Sequence, residues 1–244
     1  MPTEQANDLR ALLKENVYNL TVCGGIGKIV NLPEYEIHPR DFLQFAEEEI
    51  DDLKSTKSII NCVSNLKRAI DCQIDVFLFS LNLQKHYKDK RLGIDRKLGF
   101  IERCGLFSKT SLSTINTIRN KLEHHYQLPE IDHIHVYFDL VTAFIAVLEN
   151  AISIAGNNYE VEFEIGEWQG DNDEPTKVGS LTSTYIEEKP QVRISYSKSG
   201  VEKEFIASVD NLEELAFFVK VHSLLLNVSK TYHGQYANNE IEKL

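Results

Sequence analysis

Residues 56–84, with the sequence TKSIINCVSNLKRAIDCQIDVFLFSLNLQ, decide the fold because they contain neither proline nor glycine and are apolar at helical spacing. Their apolar side chains recur mainly at intervals of three and four residues: Ile59, Ile60, Val63, Leu66, Ile70, Ile74, Phe77, Leu78 and Leu81. This period predicts one long α-helix, buried on more than one side near its end. We therefore expect this stretch to be the central helix of a helical core.

Three further helices are predicted around this central helix. Pro39 is well placed as the first residue of a helix that continues to about residue 54. Another helix is expected from residue 111 or 113 to residue 127, and a strongly apolar one from residue 133 to 155. Together these helices predict an all-α bundle over residues 39–156. The expected buried face of the helix that begins at Pro39 consists of Phe42, Phe45, Ile50 and Leu53.

The pattern changes after Gly156. Val161, Phe163 and Ile165 alternate with glutamates, and residues 192–196 alternate in the same way. After a turn at residues 198–200 the chain is expected to return as a strand, followed by a helix that Asp210 or Asn211 caps. These features predict an antiparallel sheet with one solvated face, plus a helix, over residues 157–230. A polar, frayed tail is expected over residues 231–244.

The first 38 residues are predicted to form a short helix and a β-hairpin. Leu9, Leu12 and Leu13 share one side of the helix, and the hairpin is expected to turn at residues 23–28, CGGIGK. A phosphate-binding loop would need Ser or Thr after the lysine, and Ile29 stands there instead. The sequence therefore predicts an α+β protein with an N-terminal hairpin, a helical bundle and a C-terminal sheet.

Charge is distributed unevenly along the 244 residues. The net charge of −11 argues against indiscriminate nucleic-acid binding. Residues 85–121, however, contain ten basic and three acidic residues, a net charge of +7 that leaves −18 for the rest. This basic segment, with His86 and Tyr87 interleaved, is able to guide an RNA strand. The candidate RNA-binding residues are Lys85, Lys88, Lys90, Arg91, Arg96 and Lys97.

The composition also indicates where the chain functions. No stretch of eighteen residues is apolar enough to predict a membrane span, and residues 1–10 lack the apolar core of a signal peptide. Cys62 and Cys72 lie about 15 Å apart on one predicted helix, too far for a disulfide. We expect a cytoplasmic protein whose four cysteines are reduced and buried.

The densest polar chemistry lies in the octet at residues 119–126, Arg-Asn-Lys-Leu-Glu-His-His-Tyr. On a helix Asn120 and His124 share a face, whereas Arg119 and His124 are separated by about 140°. One straight helix cannot direct both of these side chains at one small substrate. Either the helix is distorted, or the site is assembled from two copies of the helix. Two copies of the helix around a two-fold axis would bring two arginines and two histidines into one cleft.

Arg119-Asn120-x-x-x-His124 resembles the R(N)-x-x-x-H signature of the HEPN superfamily, whose all-α domains are frequently ribonucleases. The longer form, which ends at Tyr126, is similar to the RX4HXY motif of HEPN toxins paired with nucleotidyltransferase antitoxins. The resemblance covers about residues 40–155. It implies metal-independent RNA cleavage at a homodimer cleft, without a cofactor, by Arg119, Asn120 and His124. Supporting or modified residues would be Glu123, His125 and Tyr126.

These residue types fit that chemistry. A ribose 2′-hydroxyl attacks the adjacent phosphorus, one imidazole accepts its proton and another protonates the leaving 5′-oxygen. Arg119 would bind the phosphate through two hydrogen bonds, and Asn120 would orient the imidazole or the phosphate. The implied class is a toxin or phage-defence effector, with RNA, a second copy of the chain and a cognate antitoxin as partners.

Simpler interpretations remain for each feature. Arg119 and Glu123 form an ordinary i, i+4 ion pair if the motif is inactive. His124, His125, Asp132, His133 and His135 lie close in sequence, but no HExxH spacing is present, so no metal site is expected. The alternative function is a non-catalytic HEPN-like module that dimerises through its bundle and binds a protein partner through its C-terminal sheet.

Overall fold

The computed structural model describes residues 3–50, 55–108, 110–111, 113–114, 117, 120, 127, 131–157, 159–167, 175–228 and 234–244. Its helices and strands show that the chain is an α+β protein, as predicted. The helices are α1 (Glu4–Asn16), α2 (Pro39–Ile50), α3 (Thr56–Ser80), α4 (Gln84–Asp89), α5 (Ile94–Arg103), α6 (Ile131–Asn157), α7 (Leu212–Val228) and α8 (Gly234–Glu242). The strands are β1 (Leu20–Ile26), β2 (Glu160–Glu167), β3 (Thr176–Ile186), β4 (Gln191–Lys198) and β5 (Val201–Ser208).

The chain divides into two compact units. One consists of Met1–Val30 together with Ser153–Leu244, and the other of Asn31–Ile152. The first unit contains the sheet with α1, α7 and α8, and the second contains the helices from α2 onward as far as Ile152.

The sheet has the strand order β1-β2-β3-β4-β5, and every neighbouring pair is antiparallel. Alternation along the strands gives it one apolar and one polar face. The apolar face is fully buried at Phe163, Leu181 and Ile194. Helix α1 buries Leu9, Leu12 and Leu13 in the same unit, as predicted, and α7 buries its own apolar stripe. The Thr3 side chain accepts a hydrogen bond from the Ala6 N–H and caps α1.

The predicted N-terminal hairpin is wrong. Residues 20–26 form one strand, and that strand pairs with β2 across more than a hundred intervening residues. Gly24 and Gly25 lie inside the strand, and the register shifts between Val22 and Gly24. The glycines therefore mark a β-bulge rather than a turn. A Cβ at Gly25 would lie 2.8 Å from the backbone oxygen of Glu160, so the close approach of the two strands requires glycine there.

One further prediction for the first unit needs correction, and one strand of this unit was not predicted. The frayed tail is wrong for residues 234–242, because they form α8, and Ile241 near its end is fully buried. The longest strand, β3, was not predicted, although Leu181 and Tyr185 alternate with polar residues along it. The predicted cap of α7 is confirmed, since Asn211 Oδ1 accepts a hydrogen bond from the Glu214 N–H at 3.2 Å.

Helix α3 is the central helix of the second unit, as its periodicity predicts. Of its predicted core residues only Ile60 is exposed. Helix α2 packs against it but turns a different face inward: Leu43 and Ala46 are buried, whereas Phe45 is 40% exposed. Arg40 of α2 also donates two hydrogen bonds to Glu149 of α6, at 3.0 and 2.5 Å.

The prediction that no stretch is apolar enough to span a membrane needs correction at helix α6. Within the described residues, its part His133–Ser153 is long and apolar enough to cross a membrane by length and composition, with a mean hydropathy of 1.5. The same helix fully buries Val141, Phe144 and Leu148, which recur at helical spacing. Core helices of bundles share this composition.

Candidate functional site

Most of the predicted catalytic octet lies outside the described residues. This applies to Arg119, Glu123, His124, His125 and Tyr126, so the structure does not test their predicted roles. Asn120 is described: its backbone is helical and its side chain is exposed.

The residues before the octet begin a helix near the predicted position. The Ser108 hydroxyl accepts a hydrogen bond from the Ser111 N–H at 3.4 Å, the contact expected of an N-cap. Thr114 and Thr117 donate their hydroxyl groups to backbone oxygens four residues earlier, at 3.1 and 2.8 Å. Such contacts are typical of threonine on helical backbone.

Five of the six predicted RNA-binding cations are exposed on or between α4 and α5. No described acidic side chain forms an ion pair with any of them. We refer to these five as the α4–α5 cations: Lys85, Lys88, Lys90, Arg91 and Arg96.

The sixth cation, Lys97, is already engaged. Its Nζ lies 2.6 Å from Asp75 Oδ1 on α3, and its side chain is only 23% exposed. An RNA phosphate would have to compete with this carboxylate. The role of Lys97 in RNA binding stays a prediction, and this ion pair distinguishes Lys97 from the other five cations.

The Tyr87 side chain is not available for stacking on an RNA base. The sequence places it among the cations, but its side chain is buried and packs edge-on against Phe100, with ring centroids 6.2 Å apart. Burial also raises the pKa of its hydroxyl. Tyr87 therefore anchors α4 to α5 and does not offer a face on which a base could stack.

Arg91 has an unusual backbone conformation. Its φ is +50°, in the left-handed region that favours glycine. The Leu92 N–H donates to the Tyr87 oxygen and the Arg91 N–H to the Lys88 oxygen, so Arg91 occupies the left-handed position of a Schellman motif that ends α4.

Helices α3 and α5 end in the same way, with Asn82 and Gly105 at the equivalent position. Glycine and asparagine tolerate this conformation, but arginine does so at a cost of about 1 kcal/mol. Arg91 is thus a cation kept at a position where local stability favours glycine.

The four cysteines are free, but not all of them are buried. Cys62 and Cys104 are buried, Cys72 is half-buried and Cys23 on β1 is exposed. Burial raises the pKa of Cys62 and of Cys72 to about 11. These thiols are therefore protonated near neutral pH and poor nucleophiles.

Histidines near the octet form no described metal site. His133 and His135 are exposed on α6, whereas His124 and His125 lie outside the described residues. Across the described ranges, no three histidine, cysteine or carboxylate side chains are close enough together to hold a metal ion.

A cavity of about 360 Å³ lies in the first unit, between α1 and the β4–β5 hairpin. Asp8 and Glu15 line it from α1, and Lys198 and Lys203 from the hairpin. Lys198 also pairs with Glu167 at 2.9 Å. None of the predicted site residues lines this cavity.

Comparison with known proteins gave no relatives: no family model, no curated protein and no solved structure matches the chain. Its own residues therefore define it as an α+β protein with an antiparallel five-stranded sheet in one unit and helices carrying exposed cations in the other.

Proposed function

We propose that the chain is a HEPN-type endoribonuclease that cleaves RNA without a metal ion, in a cleft formed by two copies of the chain. The observation that carries this proposal is the sequence Arg119-Asn120-x-x-x-His124 in a unit of helices, with Asn120 exposed on helical backbone. The class is that of toxins and phage-defence effectors.

The α4–α5 cations support the same function. They precede the motif in the chain, belong to the same unit and have no described carboxylate partner. Each phosphate that they neutralise releases counterions, which favours RNA binding at low salt. Arg91 is one of these exposed cations, so its guanidinium group is available to a phosphate.

The cleavage step needs no group beyond those of the motif and the RNA. The 2′-oxygen forms a bond to the adjacent phosphorus while the bond from phosphorus to the 5′-oxygen breaks. One His124 accepts the 2′-hydroxyl proton, and His124 of the partner subunit donates a proton to the 5′-oxygen. Arg119 stabilises the charge on the phosphate oxygens. The products carry a 2′,3′-cyclic phosphate and a 5′-hydroxyl.

The experiment is cleavage of a labelled single-stranded RNA by purified protein. We expect wild type to cut the RNA, and Arg119→Ala and His124→Ala to lower the rate at least a hundredfold, in keeping with the loss of acid–base or electrostatic stabilisation. His135→Ala is the matched control, because His135 is an exposed histidine outside the motif. Wild-type rates for Arg119→Ala and His124→Ala, or no cleavage by wild type, would reject the proposal.

Mixing wild type with an excess of His124→Ala tests the shared cleft. A mixed dimer retains only one His124 and therefore lacks either the general base or the general acid. The rate per wild-type chain should fall as His124→Ala is added, whereas sites confined to single copies would leave it unchanged.

The second candidate is the non-catalytic interaction module. It is favoured by one observation, namely that one edge of the sheet is open in the described part of the chain. The two candidates are separated by the same assay, since a module binds a partner but leaves the RNA intact.

A further inference from the structure

A side chain covers one edge of the five-stranded sheet, whereas no described residue covers the other edge in this way. At the β5 edge, the Gln5 side chain of α1 forms two hydrogen bonds with the backbone of Ile206. Its Nε2 donates to the Ile206 oxygen at 3.0 Å, and its Oε1 accepts from the Ile206 N–H at 2.8 Å. This side chain occupies the backbone groups that a neighbouring strand would use. Covering an edge in this way is a common means of preventing strand pairing with another chain.

The β1 edge has no such cover among the described residues. The Tyr185 N–H of β3 donates to the Tyr159 oxygen, so the backbone groups of Tyr159 point toward β3. The direction of the backbone groups alternates from residue to residue along a strand, so those of Glu164, five residues later, point toward β1. Thr21 is the partner of Glu164, which means that the N–H and C=O of the next residue, Val22, point away from the sheet. No described residue outside the sheet forms a backbone hydrogen bond with β1.

The side chains of β1 are consistent with an open edge. Val22 is 40% and Ile26 48% exposed, and Cys23 is exposed as well. Residues 20–26 carry no charge and no proline, the two devices that usually protect an edge strand. This edge therefore has both the hydrogen-bonding groups and the apolar side chains that an added strand would use.

A carboxylate lies over the same edge. Glu162 stands opposite Gly24, and a Cβ at Gly24 would lie only 2.9 Å from Glu162 Oε2. The carboxylate thus occupies the space left by the missing side chain.

The two glutamates that flank it on β2 have donors. Glu164 accepts from Lys177 at 2.7 Å and Glu160 from Thr184 at 2.8 Å, whereas no described side chain donates to Glu162. Partial burial and then the carboxylates of Glu164 and Glu162 raise the pKa of the Cys23 thiol, in keeping with a negative potential at this edge.

We propose that the outer edge of β1 binds an extended basic peptide as a sixth strand, and that an arginine or lysine of that peptide donates to Glu162 above Gly24. The added strand would lie about 4.8 Å from β1 and hydrogen-bond to the outward backbone groups of Val22. Because no side chain stands at Gly24, the basic side chain reaches the carboxylate across β1. The charged hydrogen bond supplies specificity.

A second copy of the chain fits this edge less well. Residues 20–26 contain no lysine or arginine, so a second β1 cannot provide the donor that Glu162 lacks. The nearest following cation, Lys28, already pairs with Glu187. This binding edge is independent of RNA cleavage, and failure of either proposal leaves the other unaffected.

The test uses the full chain and a fluorescein-labelled, end-capped peptide of sequence Val-Arg-Val-Arg-Val-Arg, followed by fluorescence anisotropy. We expect saturable binding that is lost for the same peptide with glutamate in place of arginine. Glu162→Gln should weaken binding about tenfold, the loss typical of one charged hydrogen bond. Glu202→Gln on β5 removes the same charge at the far edge and should bind as wild type.

The backbone component is tested separately. Val22→Pro removes an outward N–H without removing a bond to β2, and proline is tolerated at such edge positions. It should abolish binding, whereas Val22→Ala should retain it. A probe N-methylated at alternate residues should also fail to bind, and this result does not depend on how any protein variant folds.

Three outcomes would overturn the proposal. One is equal binding by Glu162→Gln, Glu202→Gln and wild type, which would indicate general attraction to an acidic protein. Another is full affinity of the N-methylated probe. The third is a dimer that Val22→Pro dissociates and that does not bind the peptide, which would assign the edge to a second copy of the chain.

Discussion

The Lys97 ammonium group lies 2.6 Å from Asp75 Oδ1, and this ion pair separates Lys97 from the five cations around it. The six residues are indistinguishable in sequence, since all are basic and lie within thirteen positions of one another. Only the packing of α5 against α3 brings Lys97 to a carboxylate. This pair provides an internal control for the proposed RNA contacts.

Lys88→Gln and Arg96→Gln should each weaken RNA binding and reduce the slope of log affinity against log salt by about one, because each removes one phosphate contact. Lys97→Gln should change that slope little. The measurement is anisotropy of a labelled single-stranded RNA at several salt concentrations, with His124→Ala as the background so that the RNA stays intact. An equal effect of all three substitutions would contradict the distinction drawn from the ion pair.

Arg91→Gly should stabilise the fold and weaken RNA binding at the same time. Glycine relieves the left-handed strain but is more flexible in the unfolded chain, so a net gain of about 0.5–1 kcal/mol in the free energy of unfolding is expected. Gly105→Ala at the equivalent position after α5 should lower the free energy of unfolding by about 1 kcal/mol. Denaturant titration measures the free energy of unfolding of both variants. A loss of stability in Arg91→Gly would show that the left-handed conformation of Arg91 is not strained.

Ser183 and His222 form a polar pair inside the first unit. The Ser183 hydroxyl lies 2.8 Å from His222 Nδ1, and both side chains are buried. Ser183→Ala should lower the free energy of unfolding by about 1–3 kcal/mol, because the buried ring nitrogen loses this contact. Ser195→Ala on the polar face of β4 should stay within about 0.5 kcal/mol of wild type. Equal stability of the two variants would show that the buried pair adds nothing.

The stability of the protein should fall above pH 9. Burial raises the pKa of Cys62 from an ordinary 9.0 to about 11, so the folded chain keeps a proton that the unfolded chain releases between these values. The unfolded state then binds fewer protons, and the free energy of unfolding decreases as pH rises through this window. Cys62→Ala should show a shallower decrease in denaturant titrations between pH 9 and 11. The same slope for both proteins would contradict the assignment.

Strongly periodic helices were predictable from sequence, whereas pairing between distant segments was not. Helix α3 and the helix cap at Asn211 follow from local rules and are confirmed. Strand β1 was misread as a hairpin because glycines usually mark turns, and nothing local shows that its partner is β2. Helix α8 was missed because its residues are mostly polar and depend on the burial of Ile241.

The same limit applies to the candidate site. Sequence identified the basic segment, and five of its six named cations are exposed. It did not show that Lys97 meets Asp75 or that Tyr87 packs on Phe100, because both contacts depend on how α3, α4 and α5 come together. For α2, the predicted face differed from the real one by about one residue, which exposes Phe45 and buries Ala46.

The most direct test of the account is the chemistry of the cut RNA ends in EDTA. A defined RNA oligonucleotide, incubated with wild-type protein and excess EDTA, is analysed by mass spectrometry. The account predicts fragments ending in a 2′,3′-cyclic phosphate and beginning with a 5′-hydroxyl, and their absence with His124→Ala. Intact RNA, ends that carry a 5′-phosphate, or cleavage that EDTA abolishes would contradict it.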